Sequence, residues 1–136
     1  MACLNNFTNL VSLCIIAQDI VEIDGLEKAC LLEHLWICET KISKIKGLDA
    51  CTKLEELYLY ANKIKKLEGL NNNIHIKKLW VFSNEIEQIE NISHLKQLED
   101  LNISGNKIRH IKNTLAENTN LKVHNKVPII LTYYKN

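Results

Sequence analysis

The sequence predicts a repeat solenoid, a coil of stacked turns whose short strands line up as one parallel sheet. Three observations predict it. Segments beginning at Leu10, Leu32, Leu54, Ile76 and Leu98 align without gaps at a spacing of 22 residues, and self-similarity at a fixed period of this size is the signature of a stacked array. Within each segment apolar residues recur at positions 1, 4, 6, 11, 14 and usually 17. Position 16 is Gly25, Gly47 and Gly69, then Asn91 and Asn113, so three of the four glycines share one column with the residue that best tolerates a left-handed backbone.

Each element of a repeat follows from its residues. The opening L-x-x-L-x-L mixes steps of three and two, whereas the buried stripe of a helix needs i, i+3, i+4 and i+7. A bundle of amphipathic helices therefore does not fit, although the chain is rich in Lys, Glu and Leu. The step of two suits a short strand that points positions 4 and 6 inward and positions 3, 5 and 7 outward. Position 9 is Gln18, Thr40, Asn62, Asn84 and Asn106, and an amide there can hydrogen-bond backbone groups at the corner that follows the strand. The Gln and Thr predict looser corners in repeats 1 and 2. The return segment closes at the Gly/Asn turn of position 16. No repeat can bury its own leucines alone, so the core forms only where neighbours stack.

This pattern resembles the 22-residue class of leucine-rich repeats, L-x-x-L-x-L-x-x-N-x-I-x-x-I-x-x-L, over residues 10–119. The class includes the leucine-rich regulatory subunit of protein phosphatase 1, the U2 ribonucleoprotein A-prime subunit and an axonemal dynein light chain. The resemblance implies an α/β repeat, a right-handed curved leucine-rich-repeat solenoid with short helical or 3₁₀ turns on its convex side. It further implies a non-enzymatic binding or scaffold role, in phosphatase regulation, ribonucleoprotein assembly or ciliary motor attachment. The phosphatase-regulating relative binds through concave aromatic and acidic side chains, and Trp36, Glu56, Trp80 and Asp100 are of that kind.

The expected organisation is a partial N-terminal edge (1–9), five repeats (10–119) and a degenerate tail (120–136). After Thr119 the register slips: Leu121 can open a sixth unit, but His124 and Lys126 fall in columns that should be apolar. The stretch Val127 to Tyr134 is β-prone and uncharged, so the tail either lies across the last repeat as an improvised lid or is a frayed end.

Composition bounds the function. The chain has 136 residues, 46% apolar and 24% charged, with a net charge of +1, which suits one globular domain and makes nucleic acid an unlikely partner. Apolar runs are too short for a membrane-spanning helix, and residues 1–20 do not read as a signal peptide. Five cysteines with no C-x-x-C pair and an odd count point to reduced, mostly structural thiols in a cytoplasmic protein, with ciliary or nuclear settings also open. No G-x-S-x-G, H-E-x-x-H or phosphate-cradling glycine loop occurs, so no enzyme, cofactor or small-molecule substrate is expected. His34 and Cys38 share a strand face but stand about 13 Å apart along it, too far for a nucleophile and base or a shared metal.

Of eight aromatic residues, five fall in the outward columns 5 and 7: Trp36, Tyr58 and Trp80, with Tyr60 and Phe82. Strands about 4.8 Å apart stack these into a ladder, expected to be an exposed anchor for a protein partner. Self-stabilisation of the sheet by such ladders is the competing role. His34, Glu39, Glu56, Lys78 and Asp100 form the expected rim that selects the partner. The return edge collects Lys41, Lys44, Lys46, Lys63, Lys65 and Lys66, then Lys107, Arg109, His110 and Lys112, a solvated face or a dock for an acidic tail or RNA. A monomer is expected, at risk of association through open ends.

Overall fold

The computed structural model describes residues 7–109 and 115–122. His110, Lys112, Asn113, His124, Lys126 and the 127–134 segment lie outside the described residues. Five strands appear in chain order: β1 (Ser12–Ile16), β2 (His34–Cys38), β3 (Glu56–Tyr58), β4 (Lys78–Trp80) and β5 (Asp100–Asn102). They form one sheet in the order β1-β2-β3-β4-β5. All pairs are parallel, and the register carries Leu13, Leu35, Leu57, Leu79 and Leu101 directly over one another. Parallel pairing of consecutive strands needs a long return between them, and here it is the back half of each repeat.

Pairing outlasts the short strands. Leu59 N–H donates to Trp80 O at 2.8 Å, Val81 N–H to Asn102 O at 2.8 Å and Ala61 N–H to Phe82 O at 3.0 Å, so columns 6 to 8 continue the ladder. Column 8 then breaks it. Ala17, Glu39, Ala61 and Ser83 all have φ of 53–55° and Gly105 has 63°. A left-handed residue costs an L-amino acid roughly 1–2 kcal/mol, and small side chains at four of these five positions keep that corner uncrowded.

The second turn sits at the Gly/Asn column. Gly25, Gly47 and Gly69 have φ of 72–78° and Asn91 has 57°. At Gly69 a Cβ would collide with the Ile45 carbonyl oxygen of the preceding repeat. Close backbone stacking is therefore a second reason for glycine there, beyond the sign of φ. Asn91 instead turns its amide onto Leu67 O at 2.9 Å, the equivalent carbonyl one repeat back.

The inward columns make one continuous core. Leu32, Leu35, Ile37, Leu54, Leu57, Leu59, Ile76, Leu79 and Val81 are fully buried, joined by Ile42, Ile64 and Ile86 from the return segments. Burying each such side chain contributes on the order of 1.5–3 kcal/mol. Among the described residues the convex side has no helical segment; it is built of single i→i+3 turns, Ala29 N to Leu26 O at 3.0 Å and Leu32 N to Ala29 O at 3.1 Å, repeated at Cys51 and Leu54.

The position-9 amides work as a ladder. Asn84 Nδ2 donates to Leu59 O (2.9 Å) and Val81 O (3.0 Å), and its Oδ1 accepts from Ile64 N (3.0 Å). Asn62 and Asn106 make the same three bonds. Each amide thus satisfies backbone groups of its own repeat and of the one before. Thr40 cannot reach so far; its hydroxyl donates to Asn62 Oδ1. Ile20 N–H in repeat 1 consequently bonds Gln18 O at 2.8 Å, the looser corner that the sequence suggested.

A second set of amides lies on the convex side. Asn73 Nδ2 bonds Leu48 O (3.0 Å) and Cys51 O (2.9 Å), and Asn118 Nδ2 bonds Ile92 O and Leu95 O, both at 2.9 Å. Asn118 matches Asn73 only if the last repeat contains one extra residue. The bonds Leu121 N to Asn118 O and Lys122 N to Glu99 O agree. The register slip therefore precedes Asn118, and Leu121 opens the next turn 23 residues after Leu98.

Candidate functional site: the concave aromatic ladder

The sheet brings all five predicted aromatics onto one face. Trp36 pairs in register with Tyr58, and Tyr58 with Trp80. The Trp36 and Tyr58 rings are parallel within 2°, with centroids 5.1 Å apart. Trp80 turns on edge, 85° from Tyr58 at 5.1 Å. Tyr60 stacks on Phe82 at 4.6 Å, and Phe82 meets Trp80 at 6.4 Å. His34 extends the series, 5.9 Å from Trp36. The result is one unbroken run across three strands.

Its exposure differs from the free patch expected. Trp36, Tyr60, Trp80 and Phe82 are half-buried by one another, and Tyr58 is only 8% exposed. Tight strand spacing causes this, since a ring wider than the gap must lie on its neighbour. Tyr58 is therefore the support that holds Trp36 and Trp80 up, not itself a prominent contact. Cys38, an outward column-7 residue, is fully buried, and its Sγ donates to Tyr58 O at 3.3 Å. Burial pushes its thiol up to about 11, so it is a packing residue and not a nucleophile. Trp80 Nε1 is buried with no hydrogen-bond partner.

The rim is already engaged. Column 3 alternates as His34, Glu56, Lys78 and Asp100. Glu56 accepts from Lys78 Nζ at 2.9 Å and from the Tyr58 hydroxyl at 3.1 Å. His34 Nδ1 lies 3.4 Å from the same carboxylate, without hydrogen-bond geometry. Burial works against ionisation of Glu56, but the Lys78 and Tyr58 hydrogen bonds outweigh it and hold its carboxyl below the usual range. Burial and that same bond push the Tyr58 phenol up to about 12. Asp100 and Glu39 make no ion pair among the described residues, and Glu39 is exposed at the left-handed corner. Of the rim, these two carboxylates are the ones free to meet a partner.

The sequence reading missed the ion pairs along column 2. Lys77 meets Glu55 at 2.8 Å and Lys122 meets Glu99 at 2.5 Å. The signal was present for Glu55 and Lys77, opposite charges 22 residues apart, whereas Lys122 follows Glu99 by 23, across the extra residue of the last repeat. On the return edge, Lys41, Lys46 and Lys107 are paired with Asp19, Glu22 and Glu85 at 2.8–3.0 Å. Lys44, Lys63, Lys65 and Lys66 are exposed and make no ion pair among the described residues. No cluster of metal-ligating side chains occurs among them, and no helix there is long and apolar enough to cross a membrane.

The fold is a leucine-rich-repeat solenoid, and folds of this kind commonly mediate protein–protein interaction and are typically non-enzymatic. A family model for leucine-rich repeats in two copies matches residues 30–72. Internalin C2 from Listeria monocytogenes superposes with a TM-score of 0.83 at 22% identity, covering 89% of this chain and 53% of that one. A leucine-rich-repeat protein from Leptospira interrogans gives 0.79 at 21% identity, covering 89% of this chain and 32% of its own. Internalin F from Listeria monocytogenes gives 0.66 at 20%, covering 87% and 41%. The chain thus spans about half the length of the first of these proteins and less of the others. No curated protein matches the sequence.

Proposed function

We propose that the chain is a non-enzymatic binding module that takes a protein partner on its concave face, with Trp36, Trp80, Tyr60 and Phe82 as anchors. The unbroken aromatic run carries this reading. Rings held rigid by stacking lose little entropy on binding, and Trp and Tyr dominate interface hot spots. Tyr58 positions Trp36 and Trp80, while Asp100 and Glu39 offer the unpaired charge. Glu56, Lys78 and His34 select more weakly, because they must release one another first.

The test is capture of a partner by the wild-type chain and by a Trp36→Ala/Trp80→Ala variant whose circular dichroism and melting are checked in parallel. Loss of a hot-spot pair weakens binding by at least about thirtyfold. A folded variant that keeps every partner at wild-type affinity overturns the proposal.

A second reading is favoured by Lys44, Lys63, Lys65 and Lys66, which are exposed and without ion pairs among the described residues. They suit an acidic segment, protein or RNA, whose binding would fall steeply with salt. Placement in a phosphatase-regulating or ciliary-motor assembly, or in a longer array like that of leucine-rich-repeat-containing protein nine, rests on sequence resemblance. The free, exposed thiols of Cys14 and Cys30 suit a reducing, cytoplasmic setting.

A further inference from the structure

One residue at the left-handed corner of column 8 is out of keeping with the rest. Ala17, Ala61, Ser83 and Gly105 are small, but repeat 2 places Glu39 there at a φ of 55°. Glycine would relieve this backbone, as it does at Gly105. Glu39 keeps it strained, and its exposed carboxylate makes no hydrogen bond or ion pair among the described residues. Strain without a structural return collects at functional positions. Across the repeat boundary stands Tyr60: the Glu39 N–H donates to Tyr60 O at 3.1 Å. The Tyr60 phenol is pushed up by the Cys38 thiol, then by burial, and also by the Glu39 carboxylate. Glu39 is thus a free negative charge beside the Tyr60–Phe82 stack.

Charge is sorted between the two sides of the coil. The whole chain is nearly balanced, with 17 basic and 16 acidic side chains. The strand segments 33–39, 55–61, 77–83 and 99–105 nevertheless carry six carboxylates against Lys77 and Lys78. Lys77, Lys78 and Lys122 pair with Glu55, Glu56 and Glu99. That leaves Glu33, Glu39 and Asp100 without an ion pair among the described residues, and no strand lysine unpaired. Unpaired lysines lie instead on the return edge, at Lys44, Lys63, Lys65 and Lys66. The aromatic face therefore complements a positive surface and repels a negative one.

Resting on the reading of the concave face as a binding surface, we infer that its partner is a basic protein segment, one of whose arginines lies on the Tyr60–Phe82 stack and pairs with Glu39. A cation within about 6 Å of a ring centroid is drawn to the ring face. A planar guanidinium covers a ring and forks onto a carboxylate at once, which the point charge of a lysine does less well. Asp100 marks the opposite corner of the aromatic run. It stands three strands and five columns from Glu39, roughly 20 Å at about 4.8 Å per strand and 3.3 Å per residue. The diagonal between them crosses Tyr60 and Trp80, so an extended segment brings a second cation to Asp100 about six residues from the first.

The test pans the full chain against a random twelve-residue peptide library and titrates an enriched peptide by calorimetry. Enriched peptides should carry arginine and lose binding to Trp36→Ala/Trp80→Ala. Glu39→Gln should weaken the peptide at least about tenfold. Glu39→Gly should weaken it as much while raising the melting temperature, because glycine relieves the corner; a merely structural Glu39 would not separate the two readouts. Replacing the peptide arginine by glutamine should cost several-fold less affinity against Glu39→Gln than against the wild type, the mark of a direct contact. Peptides that need Trp36 and Trp80 but carry no basic residue overturn the inference and leave the binding face standing. Wild-type affinity in both Glu39 variants does the same. Peptides indifferent to Trp36 and Trp80, or a library that yields none, overturn the inference and the binding face together.

Discussion

The side-chain oxygen of Asn62 accepts the backbone N–H of Ile42 at 3.2 Å across the boundary between the second and third repeats. The Asn62 amide N–H group meanwhile donates to Ile37 O at 2.8 Å and Leu59 O at 3.1 Å. One buried side chain thus closes the corner of the repeat before it.

Asn62→Ala leaves the Ile42 N–H and the Ile37 carbonyl without this partner, while Leu59 O keeps the Asn84 amide. At roughly 1–3 kcal/mol for each of the two orphaned groups, partly relieved by relaxation, the variant should lose about 2–4 kcal/mol. Chemical denaturation measures it. A loss below about 1 kcal/mol contradicts the ladder's role.

Thr40→Asn should act in the opposite sense. The longer amide can bond Ile15 O and Ile20 N as its counterparts do in later repeats, tightening repeat 1. Hydrogen exchange should show slower exchange of the Ile20 amide, with a gain of about 1 kcal/mol.

The two turn columns should respond unequally to alanine. Gly69→Ala drives a Cβ into Ile45 O and holds a positive φ, so it should cost more than about 2 kcal/mol. Gly105→Ala meets Ser83 atoms at 3.3–3.5 Å, and Ala17 and Ala61 already adopt this φ in the same column. Its cost should be about 1 kcal/mol. Thermal melts of the two variants should rank accordingly.

Thiol reactivity should divide by burial. Cys14 and Cys30 are exposed, whereas Cys38 and Cys51 are buried and pushed up to about 11 by desolvation. At neutral pH an aromatic disulfide reagent should titrate Cys14 and Cys30 promptly, and Cys38 and Cys51 only on unfolding. Prompt reaction of Cys38 contradicts the packing around Tyr58.

Stability should fall at both pH extremes through the same pair. Glu56 has a lowered folded pKa, so its contribution is complete above its ordinary value of 4.5 and is lost as pH drops through the lowered one. Tyr58 has a raised pKa of about 12 against 10 in the unfolded chain, so its contribution is complete below 10 and lost between 10 and 12. Glu56→Gln should flatten the acid limb, read by denaturation midpoint against pH.

The repeat period, the inward columns and the Gly/Asn turn were legible in the sequence, because each is a property of one residue's position in a period of 22. So was the gathering of Trp36, Tyr58, Tyr60, Trp80 and Phe82 on one face, which follows from strand alternation and register. The left-handed corner at column 8 was visible only as a run of small residues, and Glu39 hid even that.

What the sequence alone determined is the coil: spacing decides which residues turn inward, and any chain with that spacing must stack to bury them. What only the tertiary structure decided is how neighbours divide the space between strands. That space buried Tyr58 and Cys38, turned Trp80 on edge and paired Glu56 with Lys78. Those outcomes depend on ring widths and side-chain reach against a fixed strand separation, which periodicity does not encode.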